Sequence, residues 1–150
     1  MEADKTESEV FTTVGIRIFA PGLLPEDVTR NLQILPDHAH HQGDYPRNNP
    51  KYSAYKHGMW SLKSKISEKE SLESHLDNLL SILEPKRSYI NLLAQDATVD
   101  FYCVLYSQSG FQLSPQILKR IGDLGATFGV VLYGDDDETP RQSITNPDSD

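Results

Sequence analysis

Residues 11–20, FTTVGIRIFA, alternate along the chain, with Val14, Ile16 and Ile18 on one side and Arg17 and Phe19 on the other. That period of two predicts a strand, which Pro21-Gly22 ends. Pro25 then opens a helix through about Leu35. Glu26 and Asp27 suit its positive end, and Val28, Leu32 and Leu35 fall at helical spacing. Pro36 stops it. Residues 36–58 show no apolar period and read as a long connection, of the kind that is often functional or mobile. Residues 59–64, MWSLKS, alternate again and predict a second strand. Ser67 with Glu70 has the spacing of a capping box. Beyond it Leu72, Leu76, Leu79, Leu80 and Leu83 make one apolar helical stripe, closed by Pro85. A short helical turn is expected over 86–94, with Tyr89, Ile90 and Leu93 inward.

Residues 98–106, TVDFYCVLY, predict strand three, with Phe101, Cys103 and Leu105 alternating with Tyr102, Val104 and Tyr106. Ser114-Pro115 reads as an N-cap followed by proline at the first helical position. Ile117, Leu118, Ile121 and Leu124 form the next stripe, and Gly125 is the expected C-terminal cap. FGVVLY, residues 128–133, predicts strand four. The order strand–Pro–helix–strand occurs twice. Val28 and Leu118 both lie three residues after their prolines, and Arg30 and Arg120 five after. The expected fold is therefore α+β: a four-stranded, mainly antiparallel sheet built from ferredoxin-like duplicated βαβ halves, with the helices on one face.

A chain of 150 residues has room for one domain with a proper core. The expected division is an acidic, disordered tail over 1–10, a single domain over 11–133, and a second acidic tail over 134–150. The tails account for the net charge of −8. Glu2, Asp4, Glu7 and Glu9 oppose only Lys5, and Asp135, Asp136, Asp137, Glu138, Asp148 and Asp150 oppose only Arg141, which leaves residues 11–133 formally neutral. A neutral body argues against general nucleic-acid binding, which needs clustered cationic surface. The one cysteine, Cys103, forbids an intramolecular disulfide. No signal-like segment opens the chain, and no stretch approaches the roughly 18 apolar residues of a membrane helix. The expected location is the cytoplasm, away from membranes.

No nucleophile elbow, HExxH, P-loop, GxGxxG or CxxC is present. His38, His40 and His41, with Asp37 before them and His57 later, carry the residue types of a transition-metal site. A metal-dependent enzyme using this loop is one reading, with Asp37 or Asp44 as acid–base partner. HxHH in a loop lacks the fixed geometry of paired helical ligands, so a solvated polar loop is the plainer reading. Cys103 reads as a small buried hydrophobe. Trp60 reads first as a core anchor beside Leu62 and second as a pocket-lining residue.

If helices cover Ile16, Ile18, Phe101 and Leu105, the other sheet face carries Arg17, Phe19, Tyr102, Val104, Tyr106 and Tyr133. An aromatic platform of this kind stacks single-stranded bases in RNA-recognition domains. The glycine/aromatic signature of those domains is missing here, and a protein partner or a homodimer suits the face better. The plainer reading is an ordinary half-exposed sheet face. The 36–58 connection adds Tyr45, Arg47, Tyr52, Tyr55 and Lys56, where Tyr and Arg are favoured interface anchors. A disordered connection is the plainer reading there.

The runs Leu24-Pro25 through Gly43-Asp44, Trp60-Ser61-Leu62, Leu72 to Pro85 and, most specifically, GFQLSPQILKRIGDLGATFGVVLY (Gly110 to Tyr133) resemble a bacterial family called domain of unknown function 4279. The resemblance spans about residues 11–133 and implies a small bacterial α+β domain with no activity or catalytic residue to carry over. The histidine cluster is not part of that pattern. The expected function is a non-enzymatic protein-binding domain of immunity or accessory type that needs no cofactor, with another protein, concretely a toxin, as its partner. A metal-dependent enzyme and a structural homodimer through the tyrosine face are the alternatives.

Overall fold

The computed structural model describes residues 10–134. The acidic tails expected at the two ends lie outside the described residues, Val10 and Gly134 apart. The elements run β1 (Phe11–Ala20), α1 (Pro25–Leu32), β2 (His38–His40), β3 (Gly58–Lys63), α2 (Leu72–Leu83), α3 (Arg87–Leu93), β4 (Thr98–Tyr106), α4 (Pro115–Asp123) and β5 (Thr127–Tyr133).

The strands form one five-stranded sheet in the order β2-β3-β1-β4-β5. This corrects the four-stranded, mainly antiparallel, duplicated arrangement expected from the sequence. The first three neighbouring pairs are antiparallel, but β4 and β5 pair in parallel from Asp100↔Thr127 to Tyr106↔Tyr133. The reason lies in the connections. The segment between β4 and β5 contains a whole helix, which is what a parallel crossover needs. The first strand–helix–strand unit closes on β2, not on the Trp60 strand. Both β1 and β2 run antiparallel to β3, so they are parallel to each other with β3 inserted between them. In the same way β3 and β4 are parallel with β1 between them. The two interleaved split units are therefore β1-α1-β2 and β3-α2-β4, and α4-β5 extends the sheet beyond them.

One core joins the helices to one sheet face. Val14, Ile16 and Ile18 of β1, Trp60 and Leu62 of β3, and Val99, Phe101, Cys103 and Leu105 of β4 are buried with Val28 and Leu32 of α1, the leucines of α2, Ile90 of α3, and Ile117 and Ile121 of α4. Each fully buried leucine of the α2 stripe contributes on the order of 1.5–3 kcal/mol. Leu124 is buried, and Gly125 takes the left-handed conformation of a helix C-cap at φ 78°.

Three local expectations fail. Helix α1 stops at Leu32 because Gln33 is left-handed (φ 61°) while its N–H still bonds the Thr29 carbonyl. Leu35 therefore loses helical phase and is 79 % exposed. Leu118 lies half out of the α4 stripe at 52 % exposed. The Ser67/Glu70 box does not cap α2. Ser71 does, accepting from the Ser74 N–H at 3.1 Å. Residues 64–68 are occupied elsewhere: the Val14 carbonyl accepts from the Ser64 N–H, and the Glu68 carbonyl accepts from the Thr12 N–H, so the chain after β3 still runs along β1 with an excess of residues, as in a bulge.

The connection 36–58 is built, not disordered. His38–His40 pairs with β3 at the sheet edge. The Gly43 N–H bonds the Tyr55 carbonyl, and the Tyr55 N–H bonds the Asp44 carbonyl, which closes the base of a 44–55 loop. Gly58 starts β3 pressed against the Leu23 carbonyl, where a Cβ would collide with main-chain atoms.

Candidate binding site

Cross-strand partners project to the same face, so the register reads the open face row by row. One row runs His38, Ser61, Arg17, Asp100, Thr127 across all five strands. The next runs Lys63, Gly15, Tyr102, Gly129. A third, at the far end, runs Phe11, Tyr106, Tyr133.

Charge and aromatic groups are tied together at the centre. Arg17 Nε and Nη2 donate to the two Asp100 carboxylate oxygens at 3.1 and 2.9 Å. Both side chains are about one-sixth exposed. This is the fork geometry that gives arginine–carboxylate pairs direction as well as strength. The Arg17 guanidinium carbon lies 4.2 Å from the Tyr102 ring centroid and 5.8 Å from that of Phe19. Tyr102 is flanked on its face by two glycines, Gly15 and Gly129, so no neighbouring side chain in its row walls the ring. Its hydroxyl is buried and has no hydrogen-bond partner among the described residues. Burial, only partly offset by Arg17, pushes the phenol up to about 12. A cavity of about 420 Å³ opens over Gly15 between Arg17, Tyr102, Tyr106 and Lys63. A Cβ at Gly15 would sit 3.2 Å from the Leu62 carbonyl oxygen, so even an alanine crowds this floor.

The end row is aromatic throughout. Tyr106 stacks on Tyr133 (centroids 5.7 Å apart, planes 19° apart), and Phe11 meets Tyr106 edge-on at 6.3 Å. Tyr133 is only 6 % exposed and braces Tyr106. Val104 is buried on this same face, outside the main core.

The structure thus brings Arg17, Phe19, Tyr102, Tyr106 and Tyr133 together, as the alternation implied. Trp60 lies on the opposite, helix-covered face. It is fully buried, and its Nε1–H donates to Thr29 Oγ1 at 3.0 Å. Tyr45 and Arg47 line a second cavity of about 300 Å³ with His38, His40 and Tyr55. Tyr52 lines neither cavity. Asp100, Gly15 and Gly129 were missed by the sequence reading. Their roles come from the pairing register, and only the alternation of Asp100 with Tyr102 along β4 hinted at a shared face.

The three histidines do not converge. His38 and His40 point to the open face from β2, and His40 stacks on Tyr55 at 3.5 Å. His41 turns to α1, with Nε2 2.7 Å from Glu26 Oε1 and Nδ1 3.6 Å from Asp44 Oδ2. The Glu26 hydrogen bond holds the His41 pKa above its ordinary value, and Asp44 adds to it. Among the described residues no group of three or more His, Cys, Asp or Glu side chains is placed to hold a metal ion. Asp37 is likewise engaged, bonded to Lys65 Nζ at 2.7 and 2.8 Å and to the Lys63 N–H.

Two further ionisable groups are buried. Cys103 is fully buried, and desolvation pushes its thiol up to about 12, which leaves it inert. His75 of α2 is buried, with Nδ1 2.7 Å from Ser64 Oγ. Burial lowers its pKa, so the ring is held neutral. No described helix is long and apolar enough to cross a membrane.

Comparison with known proteins gives a family and no more. No curated protein and no solved structure matches the chain. A family described as a domain of unknown function matches residues 9–135, which covers every element of the fold. On that match the chain belongs to the DUF4279 family, a domain of unknown function.

Proposed function

We propose that this domain is a non-enzymatic protein-binding module whose partner docks on the open face of the sheet. The observation that carries this reading is the Arg17–Asp100–Tyr102 arrangement. An arginine fixed by a bidentate carboxylate, beside aromatic rings and over a glycine-floored cavity, presents its surface at little further entropic expense. Tyr and Arg anchors in partly desolvated pockets dominate protein–protein binding energy. The formally neutral body supports a protein rather than a nucleic acid as the partner.

The finer form of the reading is an accessory or immunity-type protein of the cytoplasm that blocks a toxin. Its support is the same uncovered face, on a small chain of 150 residues in which no catalytic motif is recognisable. The test uses purified wild-type protein, Tyr102→Glu and Leu35→Glu as baits in lysate of the source cell. A partner held by wild type and Leu35→Glu and lost with Tyr102→Glu supports the reading. Capture that is indifferent to Tyr102, or no specific capture, overturns it. If the captured protein is toxic when expressed alone and harmless when co-expressed, the immunity form stands. Light scattering on the same samples separates the homodimer, which predicts a dimer that Tyr102→Glu dissociates.

A further inference from the structure

We propose that the cavity between β2 and the Tyr45–Asn48 turn is an oxyanion site, with Arg47 as its anchor and a phosphate or carboxylate group as its ligand. The proposal stands independently of the protein-binding reading.

The first observation is what lines the cavity. It is about 300 Å³, large enough for one such group, and its charged and polar lining includes Arg47, His38, His40, Tyr45, Asn48 and Asp44. Asp44, the one acid, is already committed. Its Oδ2 accepts from the His41 N–H at 2.9 Å and lies 3.6 Å from the His41 ring. Of the remaining groups Arg47 is a donor only, and the His38, His40, Tyr45 and Asn48 side chains can each donate. No acid among the described residues pairs with Arg47, whereas Arg17, Arg30 and Arg120 each have a carboxylate partner; Arg87 has none either, but it lies on α3 and does not line this cavity. An unpaired guanidinium beside imidazole and phenol groups is complementary to an anion with two or more oxygens.

The second observation is the backbone that puts Arg47 there. The Asn48 N–H closes a turn on the Tyr45 carbonyl, with Pro46 at the second position and Arg47, at φ 56°, ψ 24°, at the third. That is the type II pattern, whose third position asks for glycine or asparagine. Asn48 follows, also left-handed at φ 57°. Arg47 and Asn48 thus both sit where a β-carbon is penalised, and arginine, unlike asparagine, is not a residue that favours that conformation. Strain of this kind gathers at ligand sites, where the side chain is needed. The base of the loop is pinned by the two Tyr55 main-chain bonds, and Tyr55 stacks on His40, so the cavity has a rigid wall.

The site shares the open face, since His38 heads the row that continues through Ser61 to Arg17. It is nevertheless a separate cavity with a ligand of its own.

The test is titration of the full chain with sodium phosphate and, in parallel, sodium acetate. Both are followed by the Arg47 Nε–H and His38 ring resonances at constant ionic strength. The expected result is a saturable shift that is weakened about tenfold in Arg47→Gln and in Arg47→Lys, because lysine keeps the charge but not the fork. His38→Gln weakens it less, and Arg87→Gln, which removes a charge on α3, leaves it unchanged. Saturation by phosphate alone assigns a phosphate-bearing ligand, and saturation by acetate alone or by both extends the site to carboxylates. A linear, unsaturated drift with both anions, or the same curve in Arg47→Gln as in wild type, overturns the proposal.

Discussion

Arg17 and Asp100 stand directly opposite each other on β1 and β4, and their side chains close the pair with two hydrogen bonds of 3.1 and 2.9 Å. The pair holds the two central antiparallel strands together on the face that no helix covers. Because both groups are largely desolvated, removing one strands the other. Asp100→Ala is expected to destabilise the fold by about 1–3 kcal/mol, with Arg17→Ala similar and the double variant much less than additive. Urea unfolding of the four proteins in a double-mutant cycle measures the coupling. Additive losses would show that the pair contributes nothing beyond its separate contacts.

Gly58 is the position least tolerant of a side chain. Its missing Cβ leaves room for the Leu23 carbonyl to pack directly on the start of β3. Gly58→Ala forces the Pro21–Leu24 turn away from the sheet and is expected to destabilise by about 1–3 kcal/mol. The readout is the urea midpoint. Gly22→Ala, where nothing lies within 4 Å of the new atom but φ is 76°, costs only the left-handed penalty of about 1 kcal/mol.

Two histidines titrate in opposite directions. His41 is raised above 6.5 by its hydrogen bond to Glu26, and His75 is lowered below 6.5 by burial. The His41 contribution is complete below pH 6.5 and is lost as pH rises through its folded value. Glu26, lowered chiefly by its own backbone hydrogen bond and then by His41, loses its share as pH falls from 4.5 through its folded value. His75 behaves the other way from His41. Its neutral form is favoured in the fold, so its contribution is present above 6.5 and lost as pH falls through its depressed value. Ring-proton NMR gives the two midpoints directly, His41 above and His75 below. Glu26→Gln moves only the His41 midpoint, downward.

Arg47 trades stability for its position in the Tyr45–Asn48 turn. Arg47→Gly relieves the left-handed strain and is expected to change stability favourably by about 0.5–1 kcal/mol. Thermal melts of wild type and Arg47→Gly decide this, and a lower melting temperature in the variant would show that the turn is not strained at Arg47.

Much of the fold was legible because its elements obey one period each. The β-branched alternation of Val14, Ile16 and Ile18 and the leucine spacing from Leu72 to Leu83 each leave a single buried face. Ser114-Pro115 announced α4, and Ser114 Oγ does accept from the Ile117 N–H. The second strand of the fold was invisible because His38–His40 is three residues long, with Ala39 as its one small apolar side chain, and is held by the edge of β3 rather than by burial. With that strand unseen, the Trp60 strand was paired with the wrong unit and the topology followed it. The strand–helix–strand order around α4 implied that β4 and β5 run parallel, but not that they lie side by side, which is a property of chain path. On the open face the alternation separated Arg17 and Tyr102 from the core. It carried no information on cross-strand partners, so Asp100, Gly15 and Gly129 appeared only once the strands were in register. Trp60 reads first as a core anchor and second as a pocket residue because an indole suits both, and the structure buries it fully, with its Nε1–H on Thr29 Oγ1.

The account rests on the uncovered sheet face being where a partner binds. Hydrogen–deuterium exchange of the protein alone and with its captured partner tests that most directly. The expected result is new protection concentrated in β1 and β4 around Arg17 and Tyr102, and in the 64–68 segment beside the cavity, with α2 and α4 unchanged. Protection confined to the helical layer, or to residues remote from Gly15, would contradict it.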